Sequence, residues 1–227
     1  MTKSTATPNE LVEVIQGLHN ELRYRVRKEP EDYMTIWTKH AANSGGDAGV
    51  RYASAMHSLA TTVWTRKKGA DNRIAIVCAE IDQYYRDGGF ERVIRRMFRK
   101  HARTEGTDVS IEQLKKLELQ DGEKLRLLDV GSCYNPFADF GYDVTAIDLC
   151  PATPDVVQCD FVTVEFSSEL SIASSVTASP STRRIGALPT GYYHVVVFCL
   201  LLEYLPDPRL RLRAVHNAYK ALKDNGK

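Results

Sequence analysis

No stretch of this 227-residue chain is apolar for long enough to cross a bilayer. Its opening residues, MTKSTATPNELVEV, lack the apolar core of a secretory leader. None of the five cysteines, Cys78, Cys133, Cys150, Cys159 and Cys199, forms a C-x-x-C pair. An odd number of cysteines at such spacings argues against a disulfide framework or a zinc site and for reduced thiols in the cytosol. Net charge is nearly absent as well: 30 Lys and Arg oppose 29 Asp and Glu, leaving +1. Without a field of one sign, no global attraction to nucleic acid or to a membrane surface is expected, although local patches remain. G-x-G-x-x-G, G-x-x-x-x-G-K-[ST] and internal repeats are also missing, which counts against NAD, ATP and solenoid architectures.

What is present is enough apolar sequence for a substantial core, 43% hydrophobic against 26% charged. The most informative stretch is LRLLDVGSCYNPFADFGYDVTAID at 125–148. Leu125, Leu127, Leu128 and Val130 make a short apolar run that meets Asp129 and Gly131 at its end. Val144, Ala146 and Ile147 make a second run that ends in Asp148. This is a strand, a tight loop and a second strand closing on a carboxylate. A parallel α/β sheet presents a nucleoside in this way, because glycine admits close backbone and the second acid takes two ribose hydroxyls.

The first hundred residues read as helical. Leu11, Val14, Ile15, Leu18 and Leu22 recur at steps of three and four, as do Tyr52, Met56, Leu59 and Val63, and again Ile74, Val77, Cys78, Ile81 and Tyr85. Phe90, Val93, Ile94, Met97 and Phe98 open a further helix after Gly88-Gly89. The expected organisation is a disordered start at 1–8, a helical domain of four or five helices at 9–101 with a Gly-rich loop at 43–49, a linker at 102–110 and an α/β domain at 111–227. In that last part, IEQLKKLEL leads as a helix into strands at 125–130, 143–148 and 155–158. The Ser- and Thr-rich SSELSIASSVTASPSTRR opens a mobile loop at 167–191. Tyr193–Cys199 then forms a strand buried on both faces, and Arg209–Leu222 a final helix. A doubly wound sheet needs another strand after LKDNG, so the chain is expected to be a truncated form or a fragment with an open sheet edge.

The loop Gly131-Ser132-Cys133-Tyr134-Asn135-Pro136 holds a single glycine, where a pyrophosphate needs a second. S-adenosylmethionine has no phosphate. Its cationic tail suits Asp129 and the loop backbone, its ribose suits Asp148, and its adenine amine suits Asp160 beside Phe161. Taken singly, each acid is explained as a strand end or cap; taken together, at neighbouring strand ends, they favour a ligand. Cys133 lacks an evident partner base and is expected to be a packed thiol. Arg92, Arg95, Arg96, Arg99, Lys100 and Arg103 form a basic run suited to RNA or an acidic protein, or a solvated helix face. Trp37 and Trp64 are expected in the core, with closure over a ligand as the alternative. His194 and His216 lack a second metal ligand at useful spacing.

The blocks LLDVGSCYNPF, AIDLCPA, CDF and HVVVFCLLLEYLPDP, with ELRYRVRKEPEDYMTIW, YASAMHSLATTVW and EIDQYYRDGGFERV before them, resemble the SAMTOR family, S-adenosylmethionine sensors of the TOR pathway, over nearly the whole chain. The closeness points to an insect member. The resemblance implies a class I methyltransferase-like (Rossmann-type) parallel sheet behind the helical domain, with S-adenosylmethionine between them and S-adenosylhomocysteine competing. Family contacts carry over to Gly131 and Asp148, and the class I pattern adds Ser132, Cys133, Leu149, Asp160, Phe161 and Phe198 as pocket walls. It implies a cytoplasmic protein, recruited to the lysosomal surface through partners. Ligand-free, it would bind the GATOR–KICSTOR assembly and restrain TOR signalling, and the ligand would release it. No catalytic residue or metal is implied. Relatives described as methyltransferases supply the alternative, transfer to RNA adenine. Against it, Cys199-Leu200-Leu201-Leu202-Glu203-Tyr204 replaces the Asn/Asp-Pro-Pro-aromatic motif of amino methyltransferases, and Glu203 is the one nearby candidate base.

Overall fold

A computed structural model describes residues 6–64, 72–93, 95–96, 99, 123–169, 176–178, 183–224 and 226. The expected linker, the helix at IEQLKKLEL, Lys100 and Arg103 lie outside the described residues.

Among the described residues the helices α1 (Pro8–Lys28), α2 (Tyr33–Ala42), α3 (Asp47–Thr62) and α4 (Arg73–Tyr85) come first, and residues 89–93 are helical as well. Their starts are written locally. Thr7 and Glu10 form a capping box around Pro8, and Arg25, Arg27 and Lys28 crowd the last turn of α1 against the negative end of its dipole. Asp32 caps α2 by accepting from the Met34 N–H, and Asn72 caps α4 by accepting from that of Ala75. α3 begins at Gly46 without a side-chain cap, inside the Gly-rich stretch read from the sequence as loop.

Among the described residues eight strands follow: β1 (Arg126–Val130), β2 (Asp143–Asp148), β3 (Val157–Gln158), β4 (Glu165–Ser167), β5 (Val176–Ala178), β6 (Arg183–Ile185), β7 (Ala187–Pro189) and β8 (Val195–Phe198). They form a six-stranded sheet in the order β5-β6-β3-β2-β1-β8, with β4 and β7 paired separately. All neighbours in the large sheet are parallel except β5 and β6. The fold is α/β with a Rossmann-like parallel sheet, as the strand–loop–strand pattern predicts. The segment expected as one mobile loop contributes β5, β6 and β7, because its apolar residues Ile185 and Leu188 are buried.

β1 is buried on both faces, Asp129 included. Leu128 and Val130 belong to one core with Leu210, Ala214 and Ala221 of the last long helix, while Leu127 joins a second with Cys78 and Ile81 of α4. Each fully buried leucine contributes about 2 kcal/mol. α4 falls within the span read as a separate helical domain, yet its apolar face completes the sheet's core, and the Tyr85 hydroxyl donates to the His194 carbonyl at 2.6 Å. His194 is held in place from the other side, its Nδ1 accepting from the Arg126 N–H at 3.0 Å.

β8 is followed by the short helix α5 (Leu201–Tyr204) and by α6 (Pro208–Ala221), which Asp207 caps ahead of Pro208. β8 has β1 as its one strand neighbour among the described residues. It is two residues shorter at its start than the sequence reading and alternates buried with half-buried positions. α6 turns Leu212, Val215 and Tyr219 to solvent at 70%, 49% and 76% exposure. Among the described residues no helix is long and apolar enough to cross a membrane.

Candidate functional site

β1 has β2 on one side and β8 on the other, so the order of the sheet reverses there. Loops leaving neighbouring parallel strands in opposite directions open a crevice at the carboxyl ends. That crevice is a cleft of about 700 Å³ including its open mouth, walled below by strand tips and above by α2, α3 and α5.

Of the sequence-predicted residues, Gly131, Cys133, Asp148, Leu149, Asp160 and Phe161 line it together. Ser132 and Phe198 stand behind the lining. The Ser132 hydroxyl accepts from the Asn135 N–H at 3.1 Å, and the Phe198 ring sits edge-on to Phe161 with centroids 5.9 Å apart. The loop after β1 is tightly wound. The N–H groups of Gly131 and Ser132 both donate to the Ile147 carbonyl, at 2.9 and 3.0 Å. Gly131 has φ 79°, and Cys133 and Asn135 share the left-handed region at 59° and 56°. Across the cleft, Leu200 adopts φ 69° to start α5. A bulky residue there costs roughly 1 kcal/mol or more, and such strain collects at ligand-binding corners.

The three acids differ in surroundings. Asp148 clamps both loops: Oδ2 accepts from the Cys133 N–H at 2.9 Å and Oδ1 from that of Cys150 at 2.7 Å. Burial nevertheless carries its pKa up to about 6. Asp129 is fully buried on β1, one layer beneath the lining, and neither carboxylate oxygen has a partner of hydrogen-bond geometry among the described residues. Burial pushes its pKa to about 7; the Ser132 hydroxyl pulls it back, and the Asp148 charge adds to the rise. Asp160 accepts from the Val162 N–H at 3.0 Å, the Thr163 hydroxyl at 2.7 Å and the Trp37 indole N–H at 3.2 and 3.1 Å. The capping explanation for single acids therefore holds for Asp148 and Asp160, which also face the cleft.

Four of the five cysteines, Cys133, Cys150, Cys159 and Cys199, line the cleft. Burial raises the thiols of Cys133 and Cys150 to about 12 and of Cys199 to about 11, and Cys159 moves in the same direction. They are protonated at neutral pH, hence polarisable walls and poor nucleophiles. Among the described residues no cluster of His, Cys, Asp and Glu is arranged to hold a metal ion.

The roof is aromatic. Tyr204 of α5 stands 5.2 Å from Tyr52 of α3 and 6.1 Å from Trp37 of α2, between ring centroids. His40 shares a hydrogen bond with the Tyr204 hydroxyl and is neutral, its pKa carried down to about 4 mainly by burial. His19 shares one with Tyr52 at 3.2 Å. Tyr52 and Met56 belong to a helical stripe indistinguishable in sequence from ordinary core, so nothing there marked them as cleft residues. Glu203 is exposed and outside the lining, and its carbonyl accepts from Arg23 at 2.6 Å.

No family model matches the chain. Curated proteins do. An "S-adenosylmethionine sensor upstream of mTORC1" from Xenopus tropicalis is 33% identical over 229 residues, and the proteins of the same name from Xenopus laevis and Danio rerio are 32% and 35% identical. The chain is similar to these sensors along most of its own length. The alignments take in 94% of this chain and 56% of each relative, so it spans little more than half their length. They run through both the α1–α4 region and the sheet, consistent with the cleft's two-sided construction.

Proposed function

We propose that the cleft binds S-adenosylmethionine and that the protein is a ligand-gated sensor in TOR signalling. The observation that carries this reading is the convergence of Gly131, Cys133, Asp148, Leu149, Asp160 and Phe161 from β1, β2 and β3 on one cleft, in a chain similar to proteins named for sensing that ligand. The residues suit the group. Gly131 brings backbone to the cleft without a side chain, Asp148 keeps acceptor capacity for ribose hydroxyls, and Phe161 with its backing ring Phe198 offers an apolar face for a base. The unpartnered Asp129 carboxylate beneath the loop favours a cation above it, as an ammonium tail supplies. Ser132 supports this loop from behind. S-adenosylhomocysteine keeps the ammonium, ribose and base and competes for the same cleft.

In this reading α1–α3 form a unit that closes on the sheet, and a ligand touching both stabilises one arrangement. A partner that prefers the other arrangement loses affinity by linkage. The partner is the GATOR–KICSTOR assembly, bound when ligand is scarce and released when it is plentiful, by a cytoplasmic protein brought to the lysosomal surface through that contact. A second reading is methyl transfer to RNA adenine, favoured by the basic Arg92, Arg95, Arg96 and Arg99. The packed Tyr204–Tyr52 roof and the outward Glu203 favour sensing over turnover.

The test is calorimetry with S-adenosylmethionine, coupled to pull-down of the assembly across a ligand titration and a methyl-transfer assay on RNA. Saturable binding that releases the assembly, with no transfer, is the expected result. Absence of heat at millimolar ligand removes the binding reading, and transfer that depends on Glu203 replaces it.

A further inference from the structure

The Asp160 carboxylate is already engaged. A carboxylate offers about four acceptor directions. Here three donors make four contacts: Val162 N–H and Thr163 hydroxyl, each within three residues, and the single Trp37 indole N–H, shared between both oxygens at 3.2 and 3.1 Å. The two local donors cannot leave without opening the turn after β3. Trp37 arrives from α2, 123 residues away in the chain, and is held there by packing, edge-on to Tyr204 and tilted against His40.

The geometry points to Trp37 as a competitor of the ligand: an amine donor reaching Asp160, such as the exocyclic amine of adenine, takes acceptor positions that the indole N–H now holds. This rests on the reading of Asp160 as the base-side acid. It goes further in making Trp37 a determinant of affinity and α2 the element whose attachment reports occupancy. The indole must surrender at least one oxygen for the amine to enter. A base that lacks the amine, as in the inosine analogue, leaves the indole bond in place and gains nothing at Asp160, so the competition narrows the preference for an adenine over a deaminated base.

The experiment compares the unmodified protein, Trp37→Phe and Trp64→Phe by calorimetry with S-adenosylmethionine, each checked by thermal melting. Trp37→Phe keeps an aromatic ring and deletes the donor. It is expected to bind roughly threefold to tenfold more tightly, the effect of one removed hydrogen-bond competitor. Trp64→Phe leaves Trp37 as the single tryptophan of two and is expected to bind normally. In that variant the indole N–H resonance is expected to shift on ligand addition and to exchange its proton faster. Equal or weaker binding by a folded Trp37→Phe protein, with an unmoved and still protected indole resonance in the other variant, overturns the competition while leaving the ligand reading intact. No binding by the unmodified protein overturns both.

Discussion

Gly131 packs against Leu201. A methyl group built on the glycine stands 3.3 Å from the Leu201 Cβ, tighter than ordinary contact, and the backbone there has φ 79°. The glycine is therefore required by the protein's own chain as well as by any ligand lying over the loop. Leu201 has little freedom to retreat, since it opens α5 directly after the left-handed Leu200.

Gly131→Ala is expected to lower stability by about 1–2 kcal/mol through the positive φ and the Leu201 contact. It is also expected to weaken S-adenosylmethionine binding by more than tenfold, because the loop shifts at the cleft floor. Chemical denaturation and calorimetry on the same preparation read both. Full affinity with full stability would show that neither contact constrains this position.

Asp148→Ala and Asp148→Asn separate clamping from ligand contact. The alanine strands the Cys133 and Cys150 N–H groups and is expected to cost about 1–3 kcal/mol. The asparagine retains one acceptor and is expected to cost less. Both should bind the ligand poorly, because a neutral amide accepts two ribose hydroxyls less well than a carboxylate. An asparagine variant with unweakened binding would remove Asp148 from the ligand contacts and leave it a loop clamp.

Stability should depend on pH in an unusual direction. The pKa of Asp129 is raised to about 7 and that of Asp148 to about 6. The folded state thus holds these protons more tightly than the unfolded chain. Their favourable contribution is complete below about pH 4 and is lost as pH rises through 6 and 7. Asp129→Asn cannot lose it, so the variant should gain on the unmodified protein between pH 5 and pH 8, on the order of a few kcal/mol. Denaturation midpoints at the two pH values measure this. An identical difference at both would mean that Asp129 is ionised throughout.

The same acids link ligand binding to protons. A cationic ligand draws them toward the charged form, so affinity should rise between pH 6 and pH 8, with proton release that varies the observed heat with buffer ionisation enthalpy. Buffer-independent heats would place the ligand's charge away from both carboxylates.

Closure of α1–α3 on the sheet should protect these helices. Limited proteolysis with saturating S-adenosylmethionine is expected to slow cleavage between Glu29 and Asp47, where the α1–α2 and α2–α3 connections lie. Unchanged fragment patterns would leave α2 and α3 as a fixed wall.

Much of the sheet was legible because its signals are local. The apolar pair of runs around Gly131, with an acid at each end, identifies β1 and β2 to within a residue. The helices were legible from apolar spacing, while their caps Thr7, Asp32, Asn72 and Asp207, equally local, come from the structure. The sides of the cleft were not legible in the same way. Tyr52, Met56 and Tyr204 carry only core-like spacing, and β6 and β7, three residues each, are too short to show a period after the Ser- and Thr-rich stretch.

The sequence by itself determined the parallel sheet, the strained single-glycine loop and the identity of the acids at the strand ends, because alternation, glycine placement and capping act over a few residues. Tertiary structure alone decided which acid lies unpartnered under the loop, that four thiols share one wall, that α4 completes the sheet's core and that Trp37 occupies Asp160. Those relations join residues far apart in the chain, and their energies come from burial and from competition for the same acceptor, which no local pattern encodes.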